Sequence, residues 1–239
     1  MSRTGVLAVV PARWGSTRFP GKPLAPIAGE PMIVHVIRRA ARLRGVDRAL
    51  VATDDGRIAA AVREAGFEAV MTGRQPSGTA RAAAAAAGVR AGIVLNVQGD
   101  EPLLPVAGVE RLVAVMAGEP RIRMGTLAAP SGSESERRSP DVVKVVVDAR
   151  GNALYFSRAP VPAGDGPFLR HVGVYAFRRS FLLRFGGLPR GPLEKREGLE
   201  QLRALENGVP IRVVRCRARA AGVDRPADIK RVEKLLAGR

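Results

Sequence analysis

The order of hydrophobic patterns along the chain predicts an α/β fold: a mostly parallel sheet flanked by helices, with a smaller β-rich second half. Over the first 100 residues, short apolar segments alternate with segments of helical periodicity. From residue 122 onward, several strand-like segments follow one another before helical periodicity returns. With 239 residues, 46% of them hydrophobic, the chain can bury a sizeable core. We therefore expect a single domain over residues 1–239, with the β-rich portion around 122–185.

The first half supplies the strands of the expected parallel sheet. The apolar segment 6–12 is predicted to be the first strand, and 31–43 (PMIVHVIRRAARL) has the spacing of an amphipathic helix. Further strands are predicted at 49–53, 67–71 and 93–97, and further helices at 57–65 and 79–87, the last one rich in alanine. Strands that alternate with helices at this spacing are typical of parallel sheets covered on both faces.

The second half combines successive strands with closing helices. Strands are predicted at 123–129, 142–148, 153–158, 170–178 and 211–216, and helices at 192–207 and 226–236. Serine and charged residues concentrate in 131–139, which is therefore predicted to be a mobile surface loop.

Cysteine content and hydropathy limit the class of protein. Because Cys216 is the single cysteine, the chain cannot form an intramolecular disulfide or a cysteine-rich zinc site. The apolar stretch at the N-terminus is too short for a signal peptide, and no apolar run approaches the length of a membrane span. We expect a soluble cytoplasmic protein that does not insert into membranes.

The net charge of +17 raises the question of nucleic-acid binding. However, the cations are mostly arginines spread along the chain, and aromatic residues make up only 4%, which leaves few platforms for base stacking. A bias toward arginine on solvated helix faces explains the charge equally simply. We therefore predict no specific nucleic-acid partner, although the excess charge would attract small polyanions.

A cationic loop follows the first predicted strand. The segment 9–24 reads VVPARWGSTRFPGKPL and carries Arg13, Arg18 and Lys22 among small residues. The strand 93–97 leads into QGDEP, which contains Asp100. In open α/β sheets, ligands bind at the carboxyl ends of the strands, so both segments are expected to face one crevice. The loop is not a Walker A motif, because GKP lacks the required Ser or Thr, but its composition suits phosphate binding.

The cationic loop also belongs to a series of motifs that resembles a known family. PARWGSTRFPGKPL resembles the phosphate loop of CMP-sugar synthetases. It is followed in family order by ATDD (52–55), PSGTAR (76–81), NVQGDEP (96–102), VVKVVVD (142–148), ALYFSRAPVP (153–162), FLRHVGVYAFR (168–178), PLEKREGLEQLRALENG (192–208) and GVDRPADIKRV (222–232). Together these motifs cover nearly the whole chain and resemble the 3-deoxy-manno-octulosonate (Kdo) cytidylyltransferases, which have a nucleotide-diphospho-sugar transferase-like fold.

The resemblance implies the transfer of CMP from CTP to Kdo, with release of pyrophosphate, as a step toward lipopolysaccharide. It also implies Mg²⁺ as cofactor and a homodimer. Arg13 and Lys22 match positions that hold the triphosphate, with Ser16 and Arg18 on the same loop. Asp100 and Asp224 match the family's metal ligands, and Asp100 is counted with Arg13 and Lys22 among the catalytic residues. Because no general base stands out in the sequence, we expect catalysis by positioning and electrostatic stabilisation.

The resemblance further implies two sets of substrate-binding residues. The predicted cytosine site contains backbone groups near Ala12 and in the SGTxR loop, and Ser77, Arg81 and Gln98 occupy matching positions. The predicted Kdo site contains Arg158, His171, Tyr175, Glu200 and Gln201. Two alternatives without a binding role stay open: Arg81 as an ordinary solvated arginine, and His171 as a core residue. His35 is interpreted as structural, and Trp14 is expected to pack over the loop.

The sequence departs from the family pattern in two places. Ala80 stands where the family usually has an acidic residue, which puts in doubt the anchoring of Arg81 by a carboxylate. The segment AGDGPF (163–168) replaces a longer excursion, which leaves the choice of sugar open. Two alternative functions therefore remain: a cytidylyltransferase for a related acidic or amino-substituted sugar, and a basic nucleic-acid-binding protein on the same fold.

Overall fold

One mixed β-sheet organises the protein. The structure is a computed structural model that describes residues 5–15, 19–217, 222–223 and 225–237. Within these ranges the strands are β1 (Val6–Ala12), β2 (Pro26–Ile27), β3 (Glu30–Pro31), β4 (Arg48–Thr53), β5 (Glu68–Met71), β6 (Ile93–Val97), β7 (Met124–Ser131), β8 (Lys144–Val147), β9 (Ala153–Ser157), β10 (Phe168–Arg178) and β11 (Ile211–Arg215).

The main sheet has a parallel half and a partly antiparallel half. Its order is β11-β7-β10-β6-β1-β4-β5, with β8 paired to β10 and β9 paired to β8. Strands β6, β1, β4 and β5 are parallel, as the alternating pattern predicts. Strand β10 then runs antiparallel to β6, β7 and β8, and β11 returns parallel to β7. Because the sheet continues across both halves, the β-rich portion extends the same sheet, and the single-domain interpretation stays a prediction.

Helices cover both faces of this sheet. They are α1 (Met32–Ala41), α2 (Gly56–Glu64), α3 (Gly78–Ala87), α4 (Val106–Gly118), α5 (Glu134–Arg138), α6 (Arg179–Phe185), α7 (Pro192–Glu197), α8 (Leu202–Glu206) and α9 (Ala227–Ala237). The side chains of α1, α2 and α4 pack into one apolar cluster, and those of α3, α6 and α8 pack into a second. Alternate residues of β1 enter the two clusters, as expected for a strand buried on both faces.

The structure corrects two sequence predictions. The segment 131–139, predicted to be a mobile loop, contains the end of β7 and helix α5, which Ser133 caps by accepting a hydrogen bond from Glu136 N. The single helix predicted at 192–207 is two short helices, since Gly198 adopts a left-handed φ of 61° at the end of α7. Helices α4 and α6 were not predicted.

The carboxyl ends of β1 and β6 approach each other closely. These two strands are neighbours, and Gly99 follows β6 where the backbones meet. A Cβ atom at Gly99 would lie 2.8 Å from the carbonyl oxygen of Pro11, so only glycine fits there. The loops after β1 and β6 therefore share one edge of the sheet. None of the helices in the described part of the chain has the length and apolar character that crossing a bilayer requires.

Candidate nucleotide cleft and sugar cavity

An open cleft lies at the strand ends that the sequence singled out. The ends of β1 and β6 and the start of α3 enclose a space of about 430 Å³. Its lining includes all the described residues that were predicted to bind phosphate, metal or cytosine: Ala12, Arg13, Lys22, Ser77, Arg81, Gln98 and Asp100. Ser16, Arg18 and Asp224, which were predicted to join them, lie outside the described residues. The cleft therefore combines cations, a carboxylate and the amino end of a ten-residue helix.

Lys22 and Asp100 form an ion pair in the lining of this cleft. Lys22 Nζ lies 2.6 Å from Asp100 Oδ2 and also donates to the carbonyl oxygen of Val223 at 3.0 Å. Val223 N in turn donates to the carbonyl oxygen of Asp100 at 3.0 Å. The ammonium group therefore joins the phosphate loop to the QGDEP segment. The side chain of Lys22 is 13% exposed and that of Asp100 is 33% exposed, so both reach the surface of the cleft.

Arg81 is held by three partners on the wall of the cleft. Its side chain is 3% exposed and donates to Asp54 Oδ2 at 2.7 Å, to Thr72 Oγ1 at 2.9 Å and to Gly73 O at 3.0 Å. The interpretation of Arg81 as a solvated residue is therefore wrong. Asp54 also answers the doubt about Ala80, because it supplies a carboxylate from the end of β4 that orients the guanidinium group.

Ser77 links the nucleotide cleft to a second cavity. It caps α3 by accepting a hydrogen bond from Ala80 N at 3.1 Å, and its hydroxyl group donates to Glu200 Oε1 at 2.8 Å. The second cavity has a volume of about 200 Å³ and shares Gly78 and Gln98 with the cleft. Its lining is Gly78, Thr79, Gln98, Met124, Tyr175, Phe177, Phe185, Glu200 and Gln201. Three predicted Kdo-binding residues, Tyr175, Glu200 and Gln201, are among them.

A β-bulge shapes this cavity. The register between β10 and β7 shifts between Val172 and Tyr175, and Gly173 lies in the irregular segment. A Cβ atom at Gly173 would lie 3.3 Å from Cγ of Gln98, so the missing side chain leaves room for Gln98 at the junction of the two spaces. The bulge therefore seats Gln98 beside both cavities.

His171 lies behind the cavity and stays neutral at physiological pH. Its ring is flanked by Phe156 and Tyr175, with centroids 5.2 and 5.4 Å away. Burial, together with the nearby charge of Arg170, lowers the pKa of His171 from 6.5 to about 3. The hydroxyl group of Thr126 donates its one proton to Val174 O at 2.8 Å, so it accepts from His171 Nε2 at 2.9 Å. His171 is therefore a neutral ring protonated on Nε2.

Burial shifts the pKa of Tyr175 upward, whereas it shifts the pKa of His171 downward. Burial, together with the negative charge of Glu200, raises the pKa of Tyr175. Tyr175, which lines the cavity, therefore keeps its hydroxyl proton and can donate a hydrogen bond.

Arg158 is a predicted Kdo-binding residue that lies outside the lining of the second cavity. Its guanidinium group donates to the carbonyl oxygens of Glu197 and Pro140, at 2.9 and 2.8 Å. Burial alone would raise the pKa of Glu197, but the hydrogen bonds it accepts from Arg158 N, Ser157 Oγ and the Tyr155 hydroxyl group, together with the charge of Arg158, lower it. Neither Arg158 nor His171 is among the described residues that line the two cavities. Their direct contact with sugar stays a prediction.

The shortened segment 163–168 is fastened to the protein by Arg137. This arginine of α5 is 5% exposed and donates to the carbonyl oxygens of Pro162 and Gly164. Its guanidinium group also lies 5.7 Å from the ring centre of Phe168. Helix α5, which the sequence did not predict, therefore holds the short segment in place.

The other two residues that were read from their local sequence are structural. His35 Nε2 lies 2.8 Å from the carbonyl oxygen of Ile27, as expected for a side chain that supports the fold. Trp14 packs over the phosphate loop against Gly21, as predicted, and also contacts Arg57.

The described donors for Mg²⁺ are few but chemically suitable. Within the described ranges, no group of three or more His, Cys, Asp and Glu side chains converges on one point. Mg²⁺ commonly takes only one or two carboxylates and completes its shell with phosphate oxygens and water. Asp100 offers such a carboxylate beside the cationic loop, and it is part of the cleft lining. The side chains present therefore fit a metal that arrives with a phosphate ligand.

Sequence reasoning missed several residues of the site. Asp54 is in the ATDD motif, and its position directly after β4 could have marked it as part of the strand-end crevice. Gln75 lines the cleft, and Thr79, Met124, Phe177 and Phe185 line the second cavity. Thr79 and Phe177 lie inside the motifs PSGTAR and FLRHVGVYAFR, but no role was assigned to them. No local pattern marks the other three, because they come from separate segments and carry side chains of ordinary kinds.

A mostly parallel sheet with a cation-lined cleft at its strand ends and an adjoining polar cavity is the arrangement expected of an α/β nucleotidyltransferase. The chain belongs to the cytidylyltransferase family, whose sequence profile matches residues 7–213, and within it to the 3-deoxy-manno-octulosonate cytidylyltransferases. A 3-deoxy-manno-octulosonate cytidylyltransferase of Anaeromyxobacter dehalogenans is 52% identical to it over 97% of this chain and 98% of its own length. One from Syntrophotalea carbinolica is 49% identical over 98% of this chain and 99% of its own length.

Solved structures agree with this assignment. A structure of CMP:2-keto-3-deoxy-manno-octonic acid synthetase complexed with CTP has a TM-score of 0.94 and 42% sequence identity, covering 98% of this chain and 99% of that one. The structure of 4-diphosphocytidyl-2C-methyl-D-erythritol synthase has a TM-score of 0.67 at 16% identity, covering 98% and 99%, and shares the fold. The predicted fold class, family resemblance and enzyme class are confirmed.

Proposed function

We propose that this protein transfers CMP from CTP to Kdo and releases pyrophosphate, with Mg²⁺ as cofactor. One observation carries the proposal: the cation-lined cleft and the polar cavity meet at Gly78 and Gln98. A nucleotide and a sugar bound in these spaces would have their reacting atoms at the junction. Relatives that are about half identical over nearly the whole chain carry the name of this activity, which supports the same conclusion.

Phosphoryl transfer of this kind needs little covalent chemistry from the protein. The attacking oxygen and the leaving pyrophosphate must lie in line, and the developing negative charge must be neutralised. Arg13 and Lys22 line the nucleotide cleft and are suited to bind the departing pyrophosphate. The amino end of α3, with Ser77 and Gly78, borders the same cleft and offers backbone N–H groups to the nucleotide.

The sugar side offers hydrogen-bonding groups instead of charge neutralisation. Gln98, Tyr175, Glu200 and Gln201 surround the second cavity and match a ligand that carries several hydroxyl groups. Asp100, together with Asp224, would hold Mg²⁺. The metal, when bound, would screen phosphate charge and lower the pKa of the attacking hydroxyl group. The neutral His171 would act by supporting the ring of Tyr175, which it contacts.

Pyrophosphate release tests the proposal directly. The assay compares CTP, UTP and ATP, each with and without Kdo, in the presence and absence of Mg²⁺. We expect release that requires CTP, Kdo and Mg²⁺ together. If CTP is used only with a different acidic sugar, the nucleotide chemistry stands and the residues assigned to the sugar cavity must be revised. No release with any pair, from folded protein, would overturn the enzyme assignment and favour a basic binding protein.

The family resemblance also supports a homodimer that works in the cytoplasm on the route to lipopolysaccharide. Light scattering coupled to size exclusion tests the first point: a mass near twice 25.3 kDa is expected. A monomeric mass at assay concentrations would contradict it.

A further inference from the structure

A narrow neck closes the phosphate-binding loop. Gly21 N donates to the carbonyl oxygen of Trp14 at 3.2 Å, which brings the two ends of the loop together. Gly21 has a φ of 70°, and a Cβ atom there would lie 3.0 Å from Cη2 of the Trp14 ring. Arg13 immediately precedes this neck, Lys22 immediately follows it, and both line the nucleotide cleft. The geometry of the neck therefore fixes the backbone positions from which the side chains of Arg13 and Lys22 extend.

Arg57 of α2 holds the Trp14 ring from outside the loop. Its guanidinium carbon lies 3.4 Å from the ring centre, the distance of a stacked cation–π contact. Asp55 accepts two hydrogen bonds from the same guanidinium group, from Nε to Oδ1 at 3.0 Å and from Nη2 to Oδ2 at 2.6 Å. Asp55 also accepts from Arg57 N to cap α2, and its own amide donates to Thr53 Oγ1 at the end of β4. A continuous set of contacts thus connects the sheet to the loop neck.

We infer that Arg57 and Trp14 form a positioning pair that holds the loop neck, so that Arg13 and Lys22 meet the triphosphate in one geometry. Among the described residues that line the cleft, neither member of the pair is present, so they act on substrate through the loop. The inference rests on the proposed function, because it takes phosphate as the ligand of Arg13 and Lys22.

The pairing with Asp55 distinguishes this role from simple electrostatic attraction. A carboxylate on two guanidinium nitrogens largely cancels the charge of Arg57 at longer range. It leaves the flat face of the guanidinium group available for stacking, which a lysine ammonium group cannot reproduce. Arg57 therefore contributes through shape and contact, and its removal is expected to loosen the neck without a comparable loss of long-range attraction.

Arg57→Gln tests the inference, with Arg48→Gln as the matched control. Arg48 also makes a two-point ion pair, with Glu68 at 2.8 and 2.6 Å, and its side chain is 50% exposed against 58% for Arg57. We expect Arg57→Gln to raise the KM for CTP and the Kd for inorganic pyrophosphate roughly fivefold, with kcat changed less than about twofold. Arg48→Gln should change neither constant, and Arg57→Lys should recover only part of the loss.

Trp14 provides an independent readout because it is the chain's single tryptophan. Acrylamide quenching of its fluorescence, measured without ligand, is expected to increase in Arg57→Gln and to stay at the wild-type level in Arg48→Gln. Unchanged quenching would contradict the stacked contact itself. Arg57→Gln could show increased quenching but bind CTP and pyrophosphate as tightly as the wild type. The contact would then exist without positioning the loop, and the inference would be wrong. Equal losses in both variants would point to net charge and also overturn the inference.

The two probes separate this inference from the proposed function. Wild-type protein that binds pyrophosphate but does not use CTP would contradict the proposed function. The positioning role would then stand or fall on whether Arg57→Gln binds pyrophosphate more weakly. Wild-type protein that binds neither CTP nor pyrophosphate would overturn both.

Discussion

The nucleotide cleft and the sugar cavity meet at two residues but are built differently. The charged groups of the cleft come from segments that follow parallel strands (Arg13, Lys22 and Asp100) and from helix α3 (Arg81). Arg13 is exposed there, and Lys22 and Asp100 are partly exposed. The cavity takes its polar groups from an antiparallel strand and from the segment between two short helices, among buried aromatic rings. A polyanion needs accessible charge, whereas a polyhydroxylated sugar needs fixed donors and acceptors. Substitutions in the cleft should therefore act mainly on the nucleotide, and substitutions in the cavity should act mainly on the sugar.

The largest effect is expected for Asp100→Asn. It removes the carboxylate that pairs with Lys22 and that we propose as a metal ligand, so pyrophosphate release should fall roughly a thousandfold. Because Asp100 is 33% exposed, the folded structure should persist, and circular dichroism and Tm check this. Glu101→Gln, the neighbouring carboxylate, is the control and should lose less than about tenfold. Near-normal turnover of Asp100→Asn would contradict its place in the reaction.

Arg81→Gln should act first on stability. The guanidinium group is 3% exposed and its loss leaves Asp54 without its ion-pair partner, so the free energy of unfolding should drop by about 3 kcal/mol. Denaturant unfolding measures this change. Asp54→Asn is the matched variant, and the double substitution should cost clearly less than the sum of the two. Additive losses would mean that the pair does not couple the cleft wall to β4.

These two residues also show what the sequence could and could not predict. The loop with Arg13 and Lys22 and the segment with Asp100 follow predicted strands, so their meeting at one sheet edge follows from topology. The partner of Arg81 did not follow, because Asp54 is 27 residues away and lies on a separate element. Pairings between side chains on separate elements depend on packing that local periodicity does not record.

The same reasoning explains the outcome for the sugar cavity. Tyr175, Glu200 and Gln201 were predicted through the resemblance and do meet in the structure, whereas Arg158 is occupied by the carbonyl oxygens of Pro140 and Glu197. A motif specifies that a residue is present, but competing hydrogen-bond acceptors nearby decide where its side chain lies.

The lowered pKa of His171 predicts that the free energy of unfolding depends on pH. Its pKa of about 3 in the folded protein lies below the 6.5 of an unperturbed histidine, so the unfolded chain takes up the proton first as the pH falls. The stabilisation is complete above pH 6.5 and is lost progressively toward pH 3. We expect the wild-type free energy of unfolding to fall by about 1 kcal/mol per pH unit between pH 6.5 and 5. His171→Gln should flatten this slope, and an unchanged slope would contradict the neutral ring.

Tyr175→Phe isolates the sugar cavity from the nucleotide cleft. Tyr175 belongs to the cavity lining, so removal of its hydroxyl group should raise the KM for Kdo roughly fivefold and leave the KM for CTP unchanged. The chain's second tyrosine, Tyr155, donates to Glu197 outside both linings, which makes Tyr155→Phe the control. A rise in both KM values for Tyr175→Phe would mean that the two spaces do not act separately.

Ser77→Ala tests the connection between the two spaces and should have the smallest effect. The hydroxyl group caps α3 and donates to Glu200, so its loss should cost about 1 kcal/mol of unfolding free energy. Since Ser77 lines the cleft and Glu200 lines the cavity, the variant should also weaken the effect of bound CTP on Kdo affinity. Calorimetric titration of Kdo with and without a non-hydrolysable CTP analogue measures that coupling, and Ser133→Ala, which removes the cap of α5, is the control. If the two titrations of Ser77→Ala differ as much as those of the wild type, the hydrogen bond stabilises α3 but does not connect the substrates.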